Sequence, residues 1–337
     1  MRIRLAVLAS LACCLLGAVP AHAETDWFAS LYTNEGVELR ADERVFALYA
    51  VLNAMGYDEA PVVRALPVPA RDMHSVRLKV RSALRLDAAD VEKLNGFFNG
   101  HAKAAEAYGR YVLSLKGPGS FERTPAAAAD LKGFESLLAD DYSRLKLGEL
   151  FASVQDEYRT SLKGYHAVVD APVTAVRRLL KLKEDDPPRV ILVVNLLDGQ
   201  GKAYSTRTGE EELWVVVGPS KAPDLYAVAQ EVARSRLEPL VAAKVSEPEL
   251  AAQASDRLSR AFAALALALP EAELDARGQR DGFPTLKDWV KQVDAFAKGA
   301  TTLEAFVAEA APALLKEQGK EPAAATPATP AKKPGKK

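Results

Sequence analysis

Leu213-Trp214-Val215-Val216-Val217, then Gly218-Pro219-Ser220, then the run from Leu225 to Arg234, is the stretch whose reading decides the fold. Large and β-branched side chains in an unbroken row favour extended backbone, where they pack on a pleated surface. Gly218 and Pro219 end that strand. Pro223 and Asp224 then suit the first turn of a helix, with Leu225, Val228, Ala229 and Val232 on one face. Val190-Ile191-Leu192-Val193-Val194 has the same character and reads as a second buried strand. Asp198-Gly199-Gln200-Gly201 supplies turn chemistry after it, and the region Ala203 to Thr206 is a candidate for a third, short strand.

Most of the remaining chain reads as helix. Trp27 to Tyr32 can pair as a short strand near the start. Val45, Leu48, Tyr49, Leu52 and Met55 recur at three and four, and Gly56 is placed to end that helix. Val76 to Leu84 reads as a shorter helix. Asp87 can cap the next, with Asp90 in its first turn and a stripe from Leu94 through Phe97, Phe98, His101, Ala105, Tyr108 and Val112 to Leu115. Gly96 and Gly100 predict a kink in it. Further helical patterns run through Leu150, Phe151, Val154, Tyr158, Leu162 and Tyr165, and from Val173 to Leu182. Glu249 to Leu269 turns apolar all round after Ala261, as a buried helix does. Thr285 to Phe296 and Leu303 to Leu315 close the pattern. The expected class is α+β, predominantly helical with one small antiparallel sheet. The change of character at Asp185-Asp186-Pro187-Pro188 allows two lobes meeting near 184–188.

The ends differ from the body. Residues 1–23 read as a signal peptide: Arg2 and Arg4, an apolar run from Leu5 to Val19, and Ala21-His22-Ala23 as the cleavage site. Cys13 and Cys14 both fall inside it, so the mature chain is expected to be exported without disulfides, to the periplasm or beyond the cell of a Gram-negative-type bacterium. Residues 318–337 form a Pro/Ala/Lys-rich tail with almost nothing to bury, expected to be disordered. With its lysines set aside the body is acidic, which argues against nucleic-acid binding by the folded domain. No later stretch is long and apolar enough for a membrane span.

Gln230-Glu231-Val232-Ala233-Arg234 carries the chemical question. A zinc helix uses histidines four residues apart because that spacing aligns both imidazoles toward one ion, with the intervening glutamate as general base. Here Glu231 holds the glutamate position, Gln230 offers a weak neutral donor, and Arg234 a permanent cation with no lone pair. Read alone, the pentapeptide is equally an ordinary helix face with a local side-chain pair.

In its surroundings the chain resembles a family of uncharacterised exported bacterial proteins regarded as zincin-like metallopeptidases. The residues that carry the resemblance are Val217-Gly218-Pro219 before the helix, Gln230 to Arg234 followed by Ser235, and Pro239-Leu240-Val241 after it. Gly36-Val37-Glu38-Leu39 and the closing helix Leu303 to Leu315 extend it over residues 24–317. The resemblance implies a single zincin-like α+β domain in which the two histidine ligands fall on Gln230 and Arg234 and the general base on Glu231. A downstream acidic ligand would fall on Asp256, in Asp256-Arg257-Leu258-Ser259-Arg260-Ala261. Zinc is then expected to be lost, with no metal bound and no cofactor. A salt bridge from Arg234 to Glu231 or Asp256 would replace the cation. The groove beside the Leu213 to Val217 strand would serve binding of an extended peptide or envelope protein, or a scaffold role. The alternative is an active hydrolase with Glu231 as general base and a non-standard metal site. Neither reading fixes an oligomeric state.

Other candidates read as structural. His74, His101 and His166 show no metal-ligand spacing, and His101 sits on an apolar stripe as a packed core residue would. Gly-x-Ser-x-Gly is absent, and Gly199-Gln200-Gly201 lacks a phosphate-binding context. Arg77, Lys79, Arg81 and Arg85 form a basic stripe expected to be a solvated helix face.

Overall fold

Strand β1 (Phe28–Tyr32) turns back into β2 (Glu38–Asp42), which runs without a loop into helix α1 (Glu43–Met55) in the computed structural model, which describes residues 28–57, 73–182, 189–208 and 211–318. Asp42 makes that junction work: its carboxylate accepts from the backbone N–H groups of Arg44 and Val45, capping the helix where the strand stops. Gly56, at φ 66°, ends α1 in the left-handed conformation that suits glycine. Helices α2 (Ser75–Ala83), α3 (Ala88–Gly100), α4 (Ala105–Leu113), α5 (Phe134–Arg144), α6 (Leu147–Ala152), α7 (Gln155–His166) and α8 (Asp170–Leu179) follow. Strands β3 (Arg189–Val194), β4 (Tyr204–Thr208) and β5 (Glu212–Val217) complete the sheet. Helices α9 (Leu225–Ala242), α10 (Pro248–Ala266), α11 (Glu271–Arg280), α12 (Leu286–Lys298) and α13 (Leu303–Gln318) then close the described chain.

The five strands lie in the order β1-β2-β3-β5-β4. The sheet is mixed, which corrects the antiparallel expectation: β2–β3 and β3–β5 are parallel, and only the outer pairs, β1–β2 and β4–β5, are antiparallel. The connectivity explains it. After β3 the chain crosses to the sheet edge as β4, then doubles back so that β5 fits between β4 and β3. Helices α1 to α8 form the long crossover that brings β3 alongside β2 in the same direction. The unbroken apolar runs of β3 and β5 are themselves the mark of strands covered on both faces, and both are buried beyond their first residue.

Helix α9 packs against β5 and β4, and α10 lies along α9 with α8, α12 and α13 behind it. Ser205 on β4 is the register partner of Val215 on β5, so both point to one face of the sheet. The Ser205 hydroxyl reaches Glu231 of α9, which identifies that face as the one α9 covers. Helix α4 approaches the other side of the edge strand through Gly109. A Cβ there would lie 2.1 Å from the Tyr204 hydroxyl oxygen, so only glycine lets α4, and with it Arg110, come this close to β4.

Three local expectations are corrected. His101 is half-buried at the end of α3, stacked on the Phe97 ring with centroids 4.1 Å apart, rather than packed in the core. The predicted kink is a full break, because α3 stops at Gly100 and α4 starts afresh at Ala105. Arg77 is not solvated: it is 1 % exposed, and its Nη1 donates to the Leu197 carbonyl at 2.5 Å. A Cβ on Gly199 would lie 2.8 Å from the Arg77 guanidinium carbon, so that glycine is a packing requirement as well as a turn residue. Lys79, Arg81 and Arg85 are exposed, as a solvated face requires. The signal segment 1–23, the lobe boundary near 184–188 and residues 319–337 of the tail lie outside the described residues. Among the described residues no helix is long and apolar enough to cross a membrane.

Candidate functional site

A polar cleft of about 1020 Å³ opens between α4, the Gly201 to Tyr204 stretch that leads into β4, the Gly218 to Asp224 loop, and helices α9, α10 and α11. Asp224 caps α9 by accepting from the Ala227 N–H at 3.0 Å, which fixes where that helix begins beside the cleft. Gln230 and Arg234, four residues apart, then fall on one face of α9. Asp256 and Arg260 have the same spacing on α10. The two faces meet at the cleft floor.

Asp256 is the meeting point. Its Oδ1 accepts from Gln230 Nε2 at 3.0 Å and from Arg234 Nη2, while Oδ2 accepts from Arg260 Nε at 2.7 Å. Arg234 Nη1 pairs with Glu231 Oε1 at 3.1 Å, so one guanidinium spans both carboxylates. Glu231 Oε2 accepts from Ser205 Oγ at 2.8 Å, and Ser205 in turn gives its carbonyl to Arg110 Nε at 2.9 Å. Arg260 Nη1 reaches Asp281 at the end of α11, at 2.5 Å. The result is a chain of alternating charge: Glu231, Arg234, Asp256, Arg260, Asp281.

Glu231 is 2 % exposed. Burial pushes its carboxyl above the usual carboxylate range, against the opposing pull of Arg234, the Ser205 hydroxyl and Arg110. For Arg260, burial works against the charge, but Asp256 and Asp281 prevail and hold the guanidinium above its ordinary value. Burial likewise raises the Tyr226 hydroxyl, which donates to the Arg260 carbonyl at 3.2 Å. The Glu231 shift has a defined consequence for stability. Because its folded value lies above the unfolded one near 4.5, the proton is held more tightly in the folded state. Its stabilising contribution is therefore present below the unfolded value and is lost as pH rises through the folded value. Glu231→Gln is expected to remove that loss, so the variant's melting temperature gains on the wild type between about pH 4 and pH 7. A thermal melting series across that range checks it; a difference that shrinks with rising pH would contradict the assigned sign.

The side chains do not fit a zinc ion. Gln230 turns its amide nitrogen, not its oxygen, onto Asp256. Arg234 offers only N–H donors and places them where an imidazole lone pair would have to point. A dication there would face the fixed positive charge of Arg234. The histidines of the described residues lie elsewhere: His74 caps α2, His101 ends α3, and His166 Nε2 donates to the Tyr32 carbonyl at 3.0 Å.

The structure thus brings Gln230, Glu231, Arg234 and Asp256 together, and Arg234 takes the position between Glu231 and Asp256 that the sequence suggested. Sequence reasoning missed Ser205, Arg110, Arg260 as an inter-helix link, and Asp281. It also assigned the groove to the wrong strand. Leu213 to Val217 is β5, paired on both sides, whereas the outer strand beside α9 is β4. No family model, curated protein or solved structure matches this chain.

Proposed function

We propose that this is an exported, degenerate metallopeptidase-like protein that has exchanged a metal cation for a guanidinium and uses its cleft to bind an extended peptide or an envelope protein. The observation that carries the reading is a convergence. The side chains at 230, 234 and 256, where the resemblance would put three metal ligands, meet at one carboxylate oxygen. Ordinary helix faces have no reason to aim those three positions at a common point. The retained Glu231, buried beside them and bonded to the edge strand through Ser205, supports the same ancestry. The buried Glu231 and the half-buried Asp256 need a cation between them, and Arg234 supplies it in both directions. Catalysis by a zinc-activated water is not expected, because the group that would polarise the water has been replaced by one that cannot accept it into coordination. The peptide would lie beside β4, the outer strand of the sheet, rather than beside β5, which is paired on both sides.

The reading is tested with a panel of unstructured protein and peptide substrates incubated with the purified mature chain, with added zinc and with a chelator. No turnover is expected under either condition. Cleavage that requires zinc and disappears in Glu231→Ala would favour the hydrolase alternative.

A further inference from the structure

The cleft is lined by both signs of charge, but its own carboxylates are already used. Glu231, Asp256 and Asp281 are paired with Arg234, Arg260 and Arg280, and Asp224 caps its helix. Three arginines on its wall are spent differently. Arg110, Arg277 and Arg280 are each held by Nε alone, to the Ser205 carbonyl at 2.9 Å, to Glu273 at 3.1 Å and to Asp281 at 3.4 Å. Arg277 also stacks on Tyr226, 4.1 Å from guanidinium carbon to ring centroid. Among the described residues the Nη groups of all three make no hydrogen bond, so each presents a positioned fork with its outer donors unfilled. One further group is unmet. Glu106 pairs with Lys202 through Oε1 at 3.4 Å, while its Oε2 is buried without a partner and needs a donor.

We infer that the ligand of this cleft is an acidic peptide segment, its side-chain carboxylates taken by Arg110, Arg277 and Arg280 and a backbone N–H given to Glu106. The inference rests on the peptide-binding reading above and narrows it to one class of peptide. Planar guanidinium forks match carboxylates in bidentate fashion. They match phosphates equally well, but a polyphosphate brings no N–H for Glu106 and would set more negative charge against that buried oxygen. A peptide meets both demands at once.

Fluorescence anisotropy with the full mature chain tests this, using labelled extended peptides of one length that are glutamate-rich, neutral or lysine-rich. The glutamate-rich peptide is expected to bind best, with an affinity that falls as salt is added. Single Arg110→Gln, Arg277→Gln and Arg280→Gln changes are each expected to weaken it about three- to tenfold, as for partly exposed ion pairs. A backbone N-methylated copy of the acidic peptide, with the same charges and no amide donors, is expected to bind more weakly than its parent. The Arg280→Gln melting curve should match the wild type, since its anchor Asp281 is the next residue. Arg110→Gln and Arg277→Gln lose contacts to Ser205 and Tyr226 on other elements, so their binding is compared at a temperature where their melting curves show them folded. Equal binding of all three peptides would overturn the inference while leaving peptide binding intact. No binding of any peptide would overturn both. Equal binding of the N-methylated copy, or tighter binding of polyphosphate, would replace the peptide with a general polyanion and so overturn the assignment.

Discussion

Arg234→Ala is expected to destabilise the fold by about 3–5 kcal/mol, the usual cost of removing one partner from a buried charge pair. The arginine answers two carboxylates at once, Glu231 through Nη1 and Asp256 through Nη2. Alanine leaves Asp256 with Arg260 and Gln230, but leaves the nearly inaccessible Glu231 with only the Ser205 hydroxyl in direct contact. Most of the loss should therefore come from Glu231. Adding Glu231→Gln to Arg234→Ala is expected to recover a large part of it, since the second change removes the charge the first one strands. A double-mutant cycle by urea unfolding measures this coupling. Arg234→Lys should not rescue, because one ammonium cannot reach both carboxylates as a planar fork does. Additive effects of the two changes would mean that Arg234 does not hold Glu231.

The second large effect is a gain. Placing histidines at both positions, Gln230→His with Arg234→His, is expected to create a zinc site, with three protein ligands and an open fourth position. The two imidazoles would sit four residues apart on α9, beside Asp256, which already receives the side chains of both positions. The metal-free variant lacks the bridging guanidinium and should melt lower than the wild type. Added zinc should raise its melting temperature in proportion to the logarithm of zinc concentration, as any ligand bound only to the folded state does. The wild type should show no such response. A double variant that folds yet ignores zinc would show that the convergence at Asp256 is not a relict ligand set.

Much of this was legible in the chain, and the gaps have physical causes. The runs Val190 to Val194 and Leu213 to Val217 announce buried strands because branched side chains leave little else for them to do. Their direction relative to each other was not written locally. It depends on β4 taking the sheet edge beyond β5, and β4, Tyr204-Ser205-Thr206-Arg207-Thr208, is so polar that it reads only as a candidate short strand. That same strand supplies Ser205, so the hydroxyl under Glu231 was missed for the same reason. Helix α11 buries only Leu274 and Gly278, a stripe too thin to register as periodicity, and with it went Arg277, Arg280 and the approach to Asp281. Arg77 shows the opposite failure. Nothing in a run of basic residues says which one is turned inward, and the choice is made by a carbonyl at Leu197, more than a hundred residues away. Asp256 was placed by a resemblance, and its pair with Arg260 is an i to i+4 contact within α10. That Arg234 reaches both Glu231 and Asp256 emerges only when α10 is laid along α9.

The central claim is that Arg234 has taken over the charge a zinc ion would carry, so that Glu231 and Asp256 are neutralised by the chain itself. Metal analysis of the protein, purified without chelators and then dialysed against zinc, tests it most directly. The account predicts no stoichiometric transition metal, before or after zinc addition. One zinc per chain, lost on Glu231→Ala or Asp256→Ala, would contradict it.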